Sequence, residues 1–112
     1  MKITDVTITG TIENPHGVEA RKIYDTDNAQ AIHLTLKPGE ALKKHITPVD
    51  VFFYVLEGEG IVEIGEEKQL VGEGCLIESP AKILHCWYNE GEETLKILVV
   101  KVPRPQEATK IL

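Results

Sequence analysis

Two histidines carry the chemistry this chain could do: His45 in Lys43-Lys44-His45-Ile46-Thr47, and His85 in Leu84-His85-Cys86-Trp87. Imidazole titrates near neutral pH and is the commonest protein metal ligand, so such a pair can ligate a metal, move protons, or sit as hydrogen-bonded filler. Position 47 belongs with His45, because strand residues two apart share a face about 6.6 Å along the chain. Glycines and a proline frame both: Gly39 and Gly58 around the first histidine, Gly74, Pro80 and Asn89 around the second. Other constellations are missing. The chain has no phosphate-cradling glycine loop, no Cys-x-x-Cys and no Gly-x-Ser-x-Gly elbow. Cys75 and Cys86 make no disulfide framework and read as reduced, buried structural thiols.

The spacing resembles the two signature motifs of the cupin superfamily. Gly39, His45 and Gly58 keep the first spacing, and Gly74, Pro80, His85 and Asn89 keep the second. Three positions depart: Thr47 stands at the second histidine, Val51 at a glutamate and Lys82 at a glycine. The resemblance implies an all-β jelly-roll barrel, or double-stranded β-helix, over about residues 30–102 of one domain spanning 1–112. It also implies a divalent transition metal (Fe, Mn, Ni, Cu or Zn) held at the positions of His45, Thr47, Val51 and His85. Only His45 and His85 of these ligate well, and the anionic member is lost. Three readings stay open: a two-histidine metal site completed by water or His33, a metal-free pocket, or idle barrel histidines. Asp50 adjoins Val51 but alternation turns it to solvent unless a bulge at Pro48-Val49 re-aims it. Thr47, Val51, Phe53 and Trp87 form the expected pocket lining beside the histidines. His16, in an Asn14-Pro15-His16-Gly17 turn, is expected to be exposed.

Strand-like alternation fills the rest. Expected strands are Lys2–Ile12, Val18–Tyr24, Gln30–Leu36, Val51–Leu56, Ile61–Ile64, Cys75–Glu78, Ile83–Tyr88 and Leu95–Val102, separated by turn chemistry. Pro103-Arg104-Pro105 ends the sheet, and the last seven residues form a short helix or lie over a neighbour. Val51–Leu56 is apolar on both faces, so its outer side, with Phe52, Tyr54 and Leu56, is expected to be covered in a homodimer.

Composition limits function. The net charge of −6 argues against nucleic acid, whose phosphates need a basic footprint. No apolar run approaches the roughly 20 residues of a membrane helix, and a cytoplasmic location is the default expectation. Two functions of different class remain. One is a metal-dependent enzyme on a small organic molecule, of oxygenase, isomerase or epimerase type. The other is a non-catalytic small-molecule binding module with a degenerate metal site.

Overall fold

The computed structural model describes residues 1–112. Its strands are β1 (Glu19–Asp25), β2 (Gln30–Leu36), β3 (His45–Ile46), β4 (Asp50–Glu57), β5 (Glu59–Ile64), β6 (Glu67–Gly72), β7 (Leu76–Ser79), β8 (Leu84–Tyr88), β9 (Leu95–Val102) and β10 (Lys110–Ile111). Two five-stranded sheets result, in the orders β1-β2-β9-β4-β7 and β10-β3-β8-β5-β6, with every pairing antiparallel. The alternation read from the sequence puts Leu34, Leu36, Val51, Phe53, Val55, Leu95, Ile97 and Val99 of the first sheet inward. Val62, Cys86 and Trp87 are buried in the second. Closing the two sheets face to face buries one common core. No helix is long and apolar enough to cross a membrane.

The N-terminal end departs from expectation. Lys2–Ile12 is no strand; it holds a single 3-10 turn at Val6–Ile8. The Asp5 carboxylate accepts from the Thr7 backbone N–H (2.9 Å) and hydroxyl (2.7 Å), and the Thr9 hydroxyl donates to the Asp5 carbonyl. Such local bonds compete with a ladder, and Ile3 and Ile8 are left exposed. At the other end the second of the two alternatives holds: residues 110–111 lie along a neighbouring strand as β10, pairing Ile111 with His45 and Lys110 with Ile46.

The framing residues of the two motifs turn out to be structural. Gly58 has φ 79°, and a Cβ there would lie 2.4 Å from the Thr94 carbonyl oxygen. Buried Asn89 donates to the carbonyls of Leu36 (2.9 Å) and Glu93 (2.8 Å) and accepts from the Gly91 N–H (3.1 Å). It thereby ties the β8–β9 loop to the end of β2. Lys82 adopts φ 65°, the left-handed region, at the position where the motif has glycine. Its N–H donates to the Thr47 carbonyl at 2.9 Å, which holds the strained turn in place.

Candidate functional site

The register of β3 against β8 sets His45 directly opposite His85. Their rings meet edge to face, centroids 4.4 Å apart, and both are buried. The open turn before β1 supplies a third ring: His16 lies 4.6 Å from His45, centroid to centroid. All three line one cavity of about 180 Å³ together with Thr47, Val51, Phe53 and Lys101, its remaining wall mostly aliphatic. Val51 and Thr47 are buried and face this cavity.

Hydrogen bonds fix what each ring presents. The Lys43 backbone N–H donates to His16 Nδ1 at 2.9 Å, so this nitrogen carries a lone pair and the proton of neutral His16 sits on Nε2. The Lys43 carbonyl lies 2.7 Å from His45 Nδ1 and can only accept, so His45 carries its proton on Nδ1 and keeps a lone pair on Nε2. One residue's backbone thus holds two neighbouring imidazoles in opposite tautomers. His85 has both nitrogens engaged: Nε2 with the Thr47 hydroxyl (3.1 Å) and Nδ1 with the Ser79 hydroxyl (2.7 Å). Those hydroxyls are themselves buried.

The electrostatics keep the cluster neutral. Burial, followed by the charges of His45 and Lys101, pushes His85 down to about 3. Burial first, then His45, Lys43 and Lys101, pushes His16 down to about 4. Burial also lowers His45, against the Lys43 carbonyl, which favours its charged form. Burial and then Lys22 lower the Lys101 ammonium.

The metal-ligand set implied by the resemblance does not fit these residues. No three or more His, Cys, Asp or Glu side chains are grouped to hold a metal ion. Val51 offers no donor and Thr47 is already bonded to the His85 nitrogen that would ligate. His16 presents a proton where a metal needs a lone pair, and no carboxylate lines the cavity to offset a divalent charge. His33 does not complete the set. It sits on the outer side of β2 opposite Leu98, while Ile32 and Leu34 on that strand face the cavity. Asp50 also stays outside, accepting from the Ala81 N–H at 2.8 Å.

Three expectations about side chains are corrected. His16 is half-buried in the cavity wall rather than exposed, because its ring accepts from Lys43 and packs on His45. Trp87 is fully buried behind Phe53, centroids 5.5 Å apart, and does not reach the cavity. Cys75 is exposed, whereas Cys86 is buried beside Tyr88 and Glu63 as a structural thiol. Two further site residues, Ser79 and Lys101, lie outside the sequence expectation. Lys101 carries a usable signal, since it shares parity with Leu95, Ile97 and Val99 and so interrupts the inward face of an apolar run. Ser79 has no signal beyond its place before Pro80.

The fold recurs widely. The TT1209 protein of Thermus thermophilus superposes with a TM-score of 0.80 at 32% identity, covering 94% of this chain and 100% of that one. The polyketide cyclase RemF of Streptomyces resistomycificus gives 0.85 at 20% identity, over 100% of this chain and 85% of that one. A predicted oxalate decarboxylase of Thermotoga maritima gives 0.79 at 19%, over 99% and 100%. At such identities the last two share the fold alone. An uncharacterized protein of Methanocaldococcus jannaschii is 39% identical over 72 residues, which span 63% of this chain and 57% of that protein. The cupin domain family matches residues 32–101, from the strand that carries His33 to the one that carries Lys101. With the two antiparallel sheets and both motif histidines facing one cavity, this chain belongs to the cupin family.

Proposed function

We propose that this cupin binds a small organic molecule in the His16–His45–His85 cavity and moves a proton on it without a metal, as an isomerase-type enzyme. The reading rests on one observation: the Lys43 backbone holds His45 and His16 in complementary tautomers beside the same cavity. The His45 Nε2 lone pair suits a general base that removes a proton next to a substrate carbonyl. His16 Nε2–H suits a neutral hydrogen-bond donor to the oxygen that becomes an enolate, a role neutral imidazole fills in other enzymes. In a carbonyl compound with a C=C bond one carbon further on, return of the proton from His45 to the far end of the resulting dienolate moves the double bond into conjugation, with no net gain or loss of atoms or electrons. The low pKa values support the uncharged forms that these roles need. The mainly apolar cavity supports a small ligand. A homodimer belongs to the same proposal: exposed Tyr54, Leu56 and Leu76 form an apolar outer patch on β4 and β7, with Tyr54 paired to Leu76.

Histidine side-chain nitrogen NMR tests the reading. His45 should show a bare Nε2 and His16 a protonated one at neutral pH. The same protein, purified without chelator or histidine tag, should carry no stoichiometric transition metal. Reversed tautomers, or a bound metal whose removal releases the ligand, would refute the proposal.

A further inference from the structure

Lys101 is the only formally charged side chain lining the histidine cavity. It stands on β9 in the inward register of Leu95, Ile97 and Val99, opposite Val51. It has no ion pair and no side-chain hydrogen bond, although five cation–carboxylate pairs occur elsewhere in the protein. The ionisable groups facing it are His16, His45 and His85 around the cavity and Lys22 from β1, and none is an acid. Lys101 is half-buried, and an ammonium partly withdrawn from water without a counter-charge is unfavourable. Such a position is stabilised once an anion arrives.

We propose that Lys101 anchors the carboxylate of the ligand, so that the cavity selects small mono-anionic oxo-acids over their neutral counterparts. This deepens the preceding reading and rests on it for the carbonyl that His45 and His16 would address. The cavity's roughly 180 Å³ is the size class of an engineered cavity of about 150 Å³ that admits benzene. A carboxylate on Lys101 points the rest of such a ligand toward the three rings, which line the same space. The aliphatic wall formed by Ile32, Leu34 and Val99 then contacts its carbon skeleton.

Pyruvate and diacetyl make the test, because they differ in carrying a carboxylate or a neutral acetyl group on the same ketone. Affinities are read by NMR titration of the intact protein. The wild type should bind pyruvate at least about tenfold more tightly than diacetyl. Lys101→Met should abolish that preference while keeping diacetyl binding, and Lys101→Arg should keep part of it. Lys101→Met should also melt no lower than wild type, since it removes an unpaired, half-buried charge. Equal affinity for the two probes in wild type, binding of neither, or a preference that survives Lys101→Met overturns the proposal. So does a borohydride-trapped pyruvate adduct on Lys101, which would make the amine a nucleophile. His45→Gln separates the two readings. If pyruvate preference depends on Lys101 while wild type and His45→Gln exchange its methyl protons with solvent deuterium equally slowly, the anchor stands and the acid–base reading fails.

Discussion

Acidification should unfold this protein through its histidines before its carboxylates matter. In the unfolded chain each histidine takes up a proton near its ordinary value of 6.5, whereas in the folded protein His85 waits until about 3 and His16 until about 4. Between these limits the unfolded state holds more protons, so stability is fully present above pH 6.5 and falls as the pH drops. The loss approaches about 1.4 kcal/mol per pH unit for each fully shifted group. From pH 6.5 to 4.5, buried His85 should therefore cost about 2 kcal/mol, and His16, discounted because its ring is partly open to solvent, about 1 kcal/mol. Together that is a large share of the roughly 5–15 kcal/mol that stabilises a typical domain. Asp25, held down to about 2 by Arg104 and Gln30, adds its loss only at lower pH, whereas Glu63, held below its ordinary value chiefly by the Tyr88 hydroxyl, begins to add its own at the bottom of the window. Urea denaturation at pH 6.5, 5.5 and 4.5 reads the slope, to which His45 and His33, also lowered by burial, add, and His85→Gln should remove about 2 kcal/mol of the loss. A stability that is flat or rises on acidification would mean that the rings are charged at neutral pH. The tautomer assignments, and the acid–base reading built on them, would then fail.

Other perturbations probe separate parts of the architecture. Lys82→Gly should raise stability by about 1 kcal/mol by relieving the left-handed φ, measured by urea midpoint; a loss would show that the Lys82 side chain stabilises the turn. Asn89→Ala should cost about 1–3 kcal/mol, because it strips the buried Leu36 carbonyl, the part-buried Glu93 carbonyl and the Gly91 N–H of their partner, and a near-neutral melting shift would contradict that role. Thr47→His with Val51→Glu should rebuild a four-ligand site and tighten Ni or Zn binding at least about tenfold, with His85→Ala in that background abolishing the gain. Calorimetric titration of the folded double mutant decides it, and unchanged affinity would mean that the side chains do not converge. Tyr54→Glu should weaken self-association by placing an unpaired charge in the outer patch, and sedimentation showing wild type and variant equally monomeric would remove the dimer from the proposal.

The strands that could be read from the sequence are those whose alternation is enforced by burial. Gln30–Leu36 and Leu95–Val102 match expectation to the residue, since one face of each packs in the core and a register slip would expose it. Lys2–Ile12 alternates too, but Ile3 and Ile8 find no sheet to cover them, and pattern alone cannot distinguish a paired strand from an unpaired one. The motif spacing located His45, Thr47, Val51 and His85 around one cavity because three of them are strand positions and Thr47 directly follows β3. His16 escaped because its place depends on a long-range bond to Lys43, and no local periodicity encodes that contact.

That same bond makes the cavity's tautomers indifferent to side-chain identity at one of their controlling positions. Lys43 is exposed; its backbone bonds both rings, and its ammonium adds only a lesser push on the His16 titration. Exchange of its side chain for any ordinary residue leaves the N–H and carbonyl in place, so side-chain scanning would relieve the ammonium's lesser push on His16 and leave both tautomers as they are. Proline is the exception, because it lacks the N–H that His16 accepts from. Information about which imidazole gives and which takes is thus written in the direction of the chain, a property that substitution tables do not record.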